Sequence, residues 1–361
     1  MGAPTIELPL SSGNGPITRT VLNTPLRDAS PAEIPIIDMG PVFSSSLSER
    51  QAVARQIRAA AMNNGFFYIT NHSVPEEVTD NAYTACLEFF RQDSSMKMKA
   101  DQARSAYFNG YKPMGAQQIN PNEGVDVRET FSWTYDPRFD PTIDDPGAIP
   151  KHVRKFIRAE DFVWEATSTM PKFKAAIVKY FESCLGVARA LTRSFALSLD
   201  LSEDFFDAKV KYPDAAFAFN YYPPIPSPAS PDDPELLVSI GSHTDFQLFT
   251  ILWQDHVGGL QVLNREGQWI NAKPIPGTFV VNIADYLQRI TNDRYVSTVH
   301  RAQTWSGSER ISMPFFWGFG LHESCGVLES CVGLEGKKYE EVSCEDWVQN
   351  RVKGMLKAKK Q

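Results

Sequence analysis

The sequence predicts a mainly β fold with supporting α-helices, and two features of the chain carry that prediction. From Tyr212 onward, apolar and polar residues alternate in short runs separated by turns, such as "AFAFNYYP", "LFTILWQD" and "GLQVLN". Many short strands at close spacing are typical of an antiparallel barrel or a two-sheet jelly roll. Before them, apolar residues recur every three or four positions across residues 171–199, which predicts one long helix. A plain sandwich without a central cavity fits the same strand pattern.

The front half of the chain alternates strands with helices. The stretch "IPIIDMG" predicts a strand at residues 34–39, and a helix from Ser48 leads into a strand at Phe66–Thr70. A second helix is expected across residues 78–99. The segment "YFNGYKPMGAQQINPNEGVDVRETFSW" follows, and its polar turns predict hairpin-like strands.

These elements divide the chain into four predicted parts. Residues 1–33 are rich in Pro, Ser, Thr and Gly and predict a loosely structured lead-in. The other three parts are an N-terminal mixed α/β region at 34–205, a β core at 206–322, and a polar C-terminal segment at 323–361. The last part ends in a basic helix, for which the simplest interpretation is a solvated cap.

Composition narrows the class of protein. The 36 basic and 43 acidic residues give a net charge of −7, without the basic stripe that a nucleic acid partner requires. No apolar stretch approaches the length of a membrane span, and no signal peptide is visible. The five cysteines form no CxxC pair, as expected for reduced thiols. We therefore expect a cytoplasmic protein without a nucleic acid or membrane partner.

Three polar pairs in the predicted β core share a spacing of two residues. They are Asn220 with Tyr222, His243 with Asp245, and Arg310 with Ser312. In a strand, residues two apart point to the same face. Each pair lies beside apolar neighbours, so we expect all three to face one apolar cavity. Because burying an unpaired carboxylate or guanidinium is costly, such a cavity must bind something.

His243 and Asp245 offer a nitrogen and an oxygen donor to a metal. An isolated His-x-Asp is more often a hydrogen-bonded structural pair, but the neighbouring polar pairs favour a metal site. A second imidazole would complete the two-His, one-carboxylate set of non-haem Fe(II) oxygenases. His300 is the best candidate, because it lies at the end of the more distant predicted strand "YVSTVH".

An open Fe(II) site also needs a source of electrons. The sequence has no GxGxxG fingerprint after a strand, so no nicotinamide or flavin site is indicated. A co-substrate that binds the metal itself would supply the electrons. Arg310 presents a planar fork that pairs with a carboxylate and Ser312 adds a donor, so this pair is expected to anchor such a co-substrate.

The motifs "FNYYPPIP", "GSHTDFQLFTILWQD", "GGLQV", "STVHR" and "RISMPFF" occur in this order, after "GFFYITNHSVP" and "DVRETFSW" in the front half. In this set the chain resembles the isopenicillin N synthase-like family of Fe(II)- and 2-oxoglutarate-dependent oxygenases, over roughly residues 34–319. The resemblance implies a distorted double-stranded β-helix core, a jelly roll of the cupin-like kind. It implies His243, Asp245 and His300 as catalytic iron ligands. It also implies 2-oxoglutarate contacts from four residues, namely Arg310, Ser312, Tyr222 and Asn220.

The implied activity is oxidation of a small-molecule metabolite, expected in secondary metabolism. O2 and 2-oxoglutarate are consumed, succinate and CO2 are released, and the substrate is hydroxylated, desaturated or rearranged. Two alternatives stay open, an Fe(II) oxidase of the same fold that does not use 2-oxoglutarate and a non-catalytic small-molecule-binding protein. The substrate and the oligomeric state are not indicated.

Aromatic residues near the expected mouth of the barrel suggest a substrate pocket. The candidates are Tyr107, Phe108, Tyr111, Phe131, Trp133, Phe246, Phe316 and Phe319. For each of them, a place in the core is an equally good interpretation. Arg128 and Glu129 are expected to be structural or to lie at the rim of this pocket.

Overall fold

The computed structural model describes residues 3–224, 238–304 and 307–357 of the chain. Within them the fold is mixed α/β, with two large sheets and two short ones. The strands are β1 (Thr5–Ser12), β2 (Gly15–Leu22), β3 (Arg27–Asp28), β4 (Ile36–Asp38), β5 (Phe66–Thr70), β6 (Gly110–Lys112), β7 (Glu129–Thr134), β8 (Asp214–Tyr222), β9 (Ile240–His243), β10 (Phe249–Gln254), β11 (Leu260–Leu263), β12 (Trp269–Asn271), β13 (Phe279–Ile283), β14 (His300–Ala302), β15 (Arg310–Gly318), β16 (Ser324–Cys325) and β17 (Val342–Ser343). The helices are α1 (Leu47–Asn63), α2 (Glu76–Phe90), α3 (Ser94–Lys97), α4 (Lys151–Arg154), α5 (Phe162–Ala166), α6 (Phe173–Ser198), α7 (Asp285–Ile290) and α8 (Cys344–Lys357).

The larger sheet has the strand order β4-β5-β13-β10-β15-β8-β7-β6, and the smaller sheet has the order β3-β12-β11-β14-β9. Apart from the parallel pairs β4–β5 and β3–β12, neighbouring strands run antiparallel. Strands from the front half form both ends of the larger sheet, and β3 forms one edge of the smaller sheet. The predicted regions 34–205 and 206–322 therefore share one continuous sheet.

Helix α6 supports one face of the larger sheet. Its apolar residues pack against β15, where Phe181 meets Phe315 with 5.4 Å between ring centroids. The Tyr180 hydroxyl donates a hydrogen bond to the Met313 carbonyl oxygen at 2.8 Å. Helices α1 and α2 pack beside α6 and also contact strands of the larger sheet. The observed bounds of α6 differ from the predicted helix at 171–199 by no more than two residues at either end.

The loosely structured lead-in predicted for residues 1–33 is instead an antiparallel hairpin over residues 5–22. Leu10 and Val21 are buried in one small cluster with Trp269 of the smaller sheet. The hairpin is also attached through its backbone, because the Leu22 amide donates to the Gly267 carbonyl oxygen at 2.7 Å. Composition alone missed this element, since its apolar residues need the smaller sheet as a packing partner.

The helix predicted across 78–99 is also shorter than expected. Helix α2 ends at Phe90, and a separate turn, α3, carries Lys97 into the interior. There the Lys97 ammonium lies 2.5 Å from the Glu129 carboxylate. A continuous helix would not bring this lysine to its buried partner.

The hairpin-like strands predicted after this region are present as β6 and β7. The predicted strand "LLVSIGSHTD" begins outside the described residues, and its visible part is β9. No helix among the described residues is long and apolar enough to cross a membrane.

Candidate active site

A cavity of about 400 Å³ is lined by residues of both large sheets. All three predicted polar pairs line it, namely Asn220 and Tyr222 from β8, His243 and Asp245 at the end of β9, and Arg310 and Ser312 from β15. Strands β8 and β15 are paired so that Arg310 lies opposite Tyr222 and Ser312 opposite Asn220. The expected convergence of polar side chains on one cavity is therefore present in the structure.

His243, Asp245 and His300 form a compact cluster at this cavity. Strands β9 and β14 pair with the two histidines directly opposite each other, and their ring centroids are 4.3 Å apart. Asp245 Oδ1 lies 3.8 Å from His243 Nε2, and its Oδ2 lies 3.8 Å from His300 Nε2. One donor atom from each of the three residues lies within 4.8 Å of the other two.

Hydrogen bonds fix the orientation of each donor. His243 Nδ1 lies 2.8 Å from the Gly241 carbonyl oxygen, and His300 Nδ1 lies 3.1 Å from that of Thr298. Since a carbonyl only accepts, each Nδ1 carries the proton and each Nε2 presents a lone pair to the cluster. Both imidazoles are thus held ready to bind a metal.

The Asp245 carboxylate is held by the larger sheet. Thr250 Oγ1 donates to Asp245 Oδ2 at 2.5 Å, and Asn282 Nδ2 donates to the same oxygen at 2.8 Å. Neither residue was identified from the sequence. Each lies on a strand predicted only as core, and the signal for them was a polar residue inside an otherwise apolar run.

The protonation states of the cluster suit metal coordination. Burial, assisted by the neighbouring His300, lowers the pKa of His243 well below its ordinary value. Burial alone would raise the pKa of Asp245, but the two imidazoles and the hydrogen bonds from Asn282 and Thr250 outweigh it and lower that pKa. A neutral imidazole and an ionised carboxylate are the forms that coordinate a metal. Two nitrogen donors and one oxygen donor fit a non-haem Fe(II) centre that keeps open positions.

Arg310 is a buried cation that lines the same cavity. Its side chain is 1% exposed, and its Nε and Nη1 atoms have no hydrogen-bond partner among the described residues. The guanidinium carbon lies 4.6 Å from the centroid of the Tyr222 ring, and Nη2 makes a long 3.4 Å contact with Gln254 Oε1. A buried cation with two unused donors needs an anion. Since Arg310 lines the cavity, the cavity is where such an anion would lie.

Hydrogen bonds link the remaining polar residues in a series next to Arg310. Ser312 Oγ lies 3.3 Å from the Tyr222 hydroxyl and 3.4 Å from Asn220 Nδ2. The Arg128 guanidinium donates to Asn220 Oδ1, and Arg128 also lines the cavity. Glu129, by contrast, forms a buried ion pair with Lys97, so Arg128 and Glu129, at the start of β7, point to opposite sides of the sheet.

Only four of the eight candidate pocket aromatics line the cavity, namely Tyr107, Phe108, Phe246 and Phe316. The other four, Tyr111, Phe131, Trp133 and Phe319, belong to the core on the helix side of the sheet. Strand alternation explains the difference on β7, where Thr130, Ser132 and Thr134 face the cavity while Phe131 and Trp133 face the helices. The pocket interpretation of those four aromatics is therefore wrong.

Helix α8 is more than the solvated cap that the sequence suggested. Its residues Val348 and Val352 line the cavity. Trp347 Nε1 donates to the carbonyl oxygen of Phe246, the residue after Asp245, at 2.7 Å. The C-terminal helix thus closes one side of the cavity and contacts the segment that carries the carboxylate.

Arg351 attaches α8 both to α7 and to the backbone next to Asp245. Arg351 is 4% exposed, and its Nη2 lies 3.2 Å from Asp285 Oδ2. The same nitrogen donates to the Thr244 carbonyl oxygen at 3.1 Å. Thr244 and Phe246 flank Asp245, so α8 holds the backbone on both sides of that carboxylate.

Comparisons with known proteins agree with this geometry. Residues 213–318 match the model of the 2OG-Fe(II) oxygenase superfamily, and residues 34–152 match the model described as non-haem dioxygenase in morphine synthesis N-terminal. The 2-oxoglutarate-Fe(II) type oxidoreductase ppzC of Metarhizium majus is 62% identical over 97% of this chain and 95% of its own length. Among solved structures, a putative 2OG-Fe(II) oxygenase family protein from Caulobacter crescentus has a TM-score of 0.74 at 26% identity, over 90% of this chain and 99% of its own. JOX2 with 2OG, Fe and JA has a TM-score of 0.70 at 26% identity, over 91% of this chain and 87% of its own.

The alternation on β7 predicts that substitutions of neighbouring residues destabilise the fold to very different extents. Trp133→Ala leaves a cavity in the aromatic core and should destabilise the fold by about 3–5 kcal/mol. Ser132→Ala, on the cavity face, should change stability by about 0.5 kcal/mol or less. Urea unfolding followed by circular dichroism measures both. Equal losses would contradict the assignment of faces.

Loss of a hydrogen bond to Asp245 should weaken metal binding. Thr250→Val keeps the shape of the side chain but removes the donor, so Fe(II) affinity should fall about 10- to 100-fold. Thr291→Val is the matched control, since Thr291 is 0% exposed and lies away from the cavity lining. Anaerobic metal titration measures both affinities, and an unchanged affinity for Thr250→Val would refute the positioning role.

Proposed function

The chain belongs to the 2OG-Fe(II) oxygenase superfamily, and we propose that it oxidises a small-molecule metabolite in the cavity between its two large sheets. Fe(II), 2-oxoglutarate and O2 are the cofactor and co-substrates of this superfamily. One observation carries the proposal, namely that Arg310 lines the same cavity as the cluster of His243, Asp245 and His300, with its buried Nε and Nη1 lacking a hydrogen-bond partner among the described residues. A metal and an anion are thus both accommodated in one place.

The residues of this chain have separate roles in the proposed reaction. His243, Asp245 and His300 would hold Fe(II), while Arg310 and Ser312 would bind the carboxylate of 2-oxoglutarate that lies away from the metal. When bound, Fe(II) and 2-oxoglutarate activate O2 to oxidise a substrate C–H bond, and the co-substrate leaves as succinate and CO2. Tyr222 supports the Arg310 guanidinium through its ring face, and Asn220 links Ser312 to Arg128.

The lining of the cavity favours a small and largely apolar substrate. Phe108, Phe246 and Phe316 contribute aromatic surface, and Val348 and Val352 of α8 add aliphatic surface. Such a lining excludes water from the reacting centre and holds the substrate by contact. JOX2 was solved with JA, which supports a small molecule as the substrate class. Hydroxylation, desaturation and oxidative rearrangement are all compatible with this lining.

Two finer assignments belong to the same proposal. Residues 206–322, together with the strands contributed by the front half, would form a distorted double-stranded β-helix. Within the superfamily the chain would belong to the isopenicillin N synthase-like subfamily. The antiparallel order of the two sheets around one cavity and the similarity to solved oxygenases support the first assignment. The ordered sequence motifs support the second.

Removal of a metal ligand should abolish turnover without unfolding the protein. His243→Ala and Asp245→Ala should each reduce succinate formation to background and lower the bound iron to well below one per chain. Circular dichroism should stay close to that of the wild type, because the ligands contribute little to the core. Substantial succinate formation by both variants would refute the metal assignment.

Arg310 should determine the affinity for 2-oxoglutarate. Arg310→Met keeps the length of the side chain but removes its charge, so the 2-oxoglutarate concentration needed for half-saturation should rise at least about thirtyfold. Anaerobic titration of the Fe(II) protein, followed by its metal-to-ligand charge-transfer absorption, measures this affinity. Arg265→Met, on the exposed surface, is the control and should leave the titration unchanged. A wild-type protein without such an absorption band, and without succinate formation, would instead support an oxidase that does not use 2-oxoglutarate.

A further inference from the structure

We propose that Gln247 selects the substrate by accepting a hydrogen bond from a neutral N–H group of an amide or lactam. This inference rests on the proposed function, because it names the substrate class of the same cavity. Gln247 lines the cavity and lies two residues after Asp245. Gln247 does not belong to the cluster of His243, Asp245 and His300, and it does not contribute to the hydrogen bonds around Arg310.

The position of Gln247 is fixed by its surroundings. Its backbone carbonyl oxygen accepts hydrogen bonds from the amides of Tyr286 and Leu287 in α7, at 3.0 and 3.2 Å. Its side chain lies against the backbone of Gly318, where an added Cβ would come within 2.5 Å of Gln247 Cδ. Only glycine at position 318 leaves room for this arrangement, so the glutamine side chain occupies a defined place.

The orientation of the Gln247 amide follows from its partner. Gln247 Nε2 donates to Asp214 Oδ2 at 2.9 Å, and the other oxygen of Asp214 is paired with Arg158. Carboxylate oxygens only accept, so the amide nitrogen must face Asp214 and the carbonyl oxygen Oε1 must point elsewhere. That oxygen is buried and has no hydrogen-bond partner among the described residues, and the whole residue is 8% exposed.

A buried acceptor without a partner is stabilised when a ligand supplies a hydrogen-bond donor. The charges near Gln247 Oε1 indicate whether that donor group is charged or neutral. A carboxylate or phosphate would place a second acceptor against Oε1. An ammonium group would find no free anion here, because Asp214 is already paired with Arg158 and bonded to Gln247. The donor is therefore neutral.

Arg158 would bind the other polar group of the substrate amide, its carbonyl oxygen. Arg158 also lines the cavity, and among the described residues its side chain hydrogen-bonds only through Nη2, to Asp214 Oδ1. Asp214 bridges Arg158 and Gln247, so both side chains lie at the same end of the cavity and offer one donor group and one acceptor group. An amide matches them, with its N–H directed to Gln247 and its carbonyl oxygen to Arg158.

Three six-membered rings of similar size test the proposal. The probes are 2-piperidone, which has the N–H and carbonyl of a lactam, cyclohexanone, which lacks the N–H, and cyclohexanol, which offers a hydroxyl donor. Their affinities for the anaerobic protein with Fe(II) and 2-oxoglutarate are measured by ligand-observed NMR titration. We expect the wild type to bind 2-piperidone at least about tenfold more tightly than either of the other two.

Variants locate the origin of this preference. Gln247→Leu and the more flexible Gln247→Met should each lose at least about tenfold in affinity for 2-piperidone, and should no longer distinguish it from cyclohexanone. Gln303→Leu is the matched control, because Gln303 also has a buried Oε1 without a partner among the described residues but does not line the cavity. It should retain the full preference for 2-piperidone.

Several results would overturn the proposal. One is that the wild type binds 2-piperidone and cyclohexanone equally well, and another is that it does not bind 2-piperidone. A third is that cyclohexanol binds as tightly as 2-piperidone and loses affinity equally in the Gln247 variants. The comparison of probes on the wild type decides the matter even if neither Gln247 variant folds. Failure of the proposed function would appear separately, as absence of the charge-transfer absorption with Fe(II) and 2-oxoglutarate before any probe is added.

Discussion

The buried carboxylate of Asp245 is the group on which the site depends. An anion at this depth would cost several kcal/mol without compensating partners. The larger sheet compensates it through Thr250 and Asn282, which are opposite each other on β10 and β13. The smaller sheet supplies the two imidazoles, His243 and His300, as a directly opposed pair. The cluster of His243, Asp245 and His300 therefore forms only because the two sheets face each other across the cavity.

The larger sheet can serve two purposes because its faces differ in side-chain volume. On β8, Phe217 and Phe219 point to the helices, with ring centroids 4.1 Å apart, whereas Ala216 and Ala218 point to the cavity. Large aromatic residues fill the space between sheet and helices, and small residues on the other face leave room for ligands. The same alternation on β7 places hydroxyl groups toward the cavity. Stability and binding volume thus come from alternate residues of the same strands.

Both ends of the described chain meet next to the segment that carries Asp245. Arg351 of α8 donates to the carbonyl oxygen of Ser11 in the N-terminal hairpin at 2.8 Å, and it pairs with Asp285. The Gly13 amide donates to the same aspartate at 3.0 Å, and this glycine lies so close to Trp347 that a Cβ would come within 2.1 Å of the ring. The hairpin, α7 and α8 therefore meet around one ion pair. This contact ties the segments farthest apart in sequence to the backbone that carries Asp245.

The sequence by itself determined which strands carry polar pairs, and it determined the shared face of His243 and Asp245, because residues two apart on an extended chain point the same way. Periodicity also located the long helix α6 to within two residues. The sequence did not determine which face of β7 meets the cavity, since Ser132 and Trp133 both lie in a strand whose two faces are covered. Nor did it reveal that Gln247 Oε1 has no hydrogen-bond partner among the residues that the structure describes. Those features were decided by tertiary structure, because they depend on which distant segment lies against each face, and local periodicity carries no information about that.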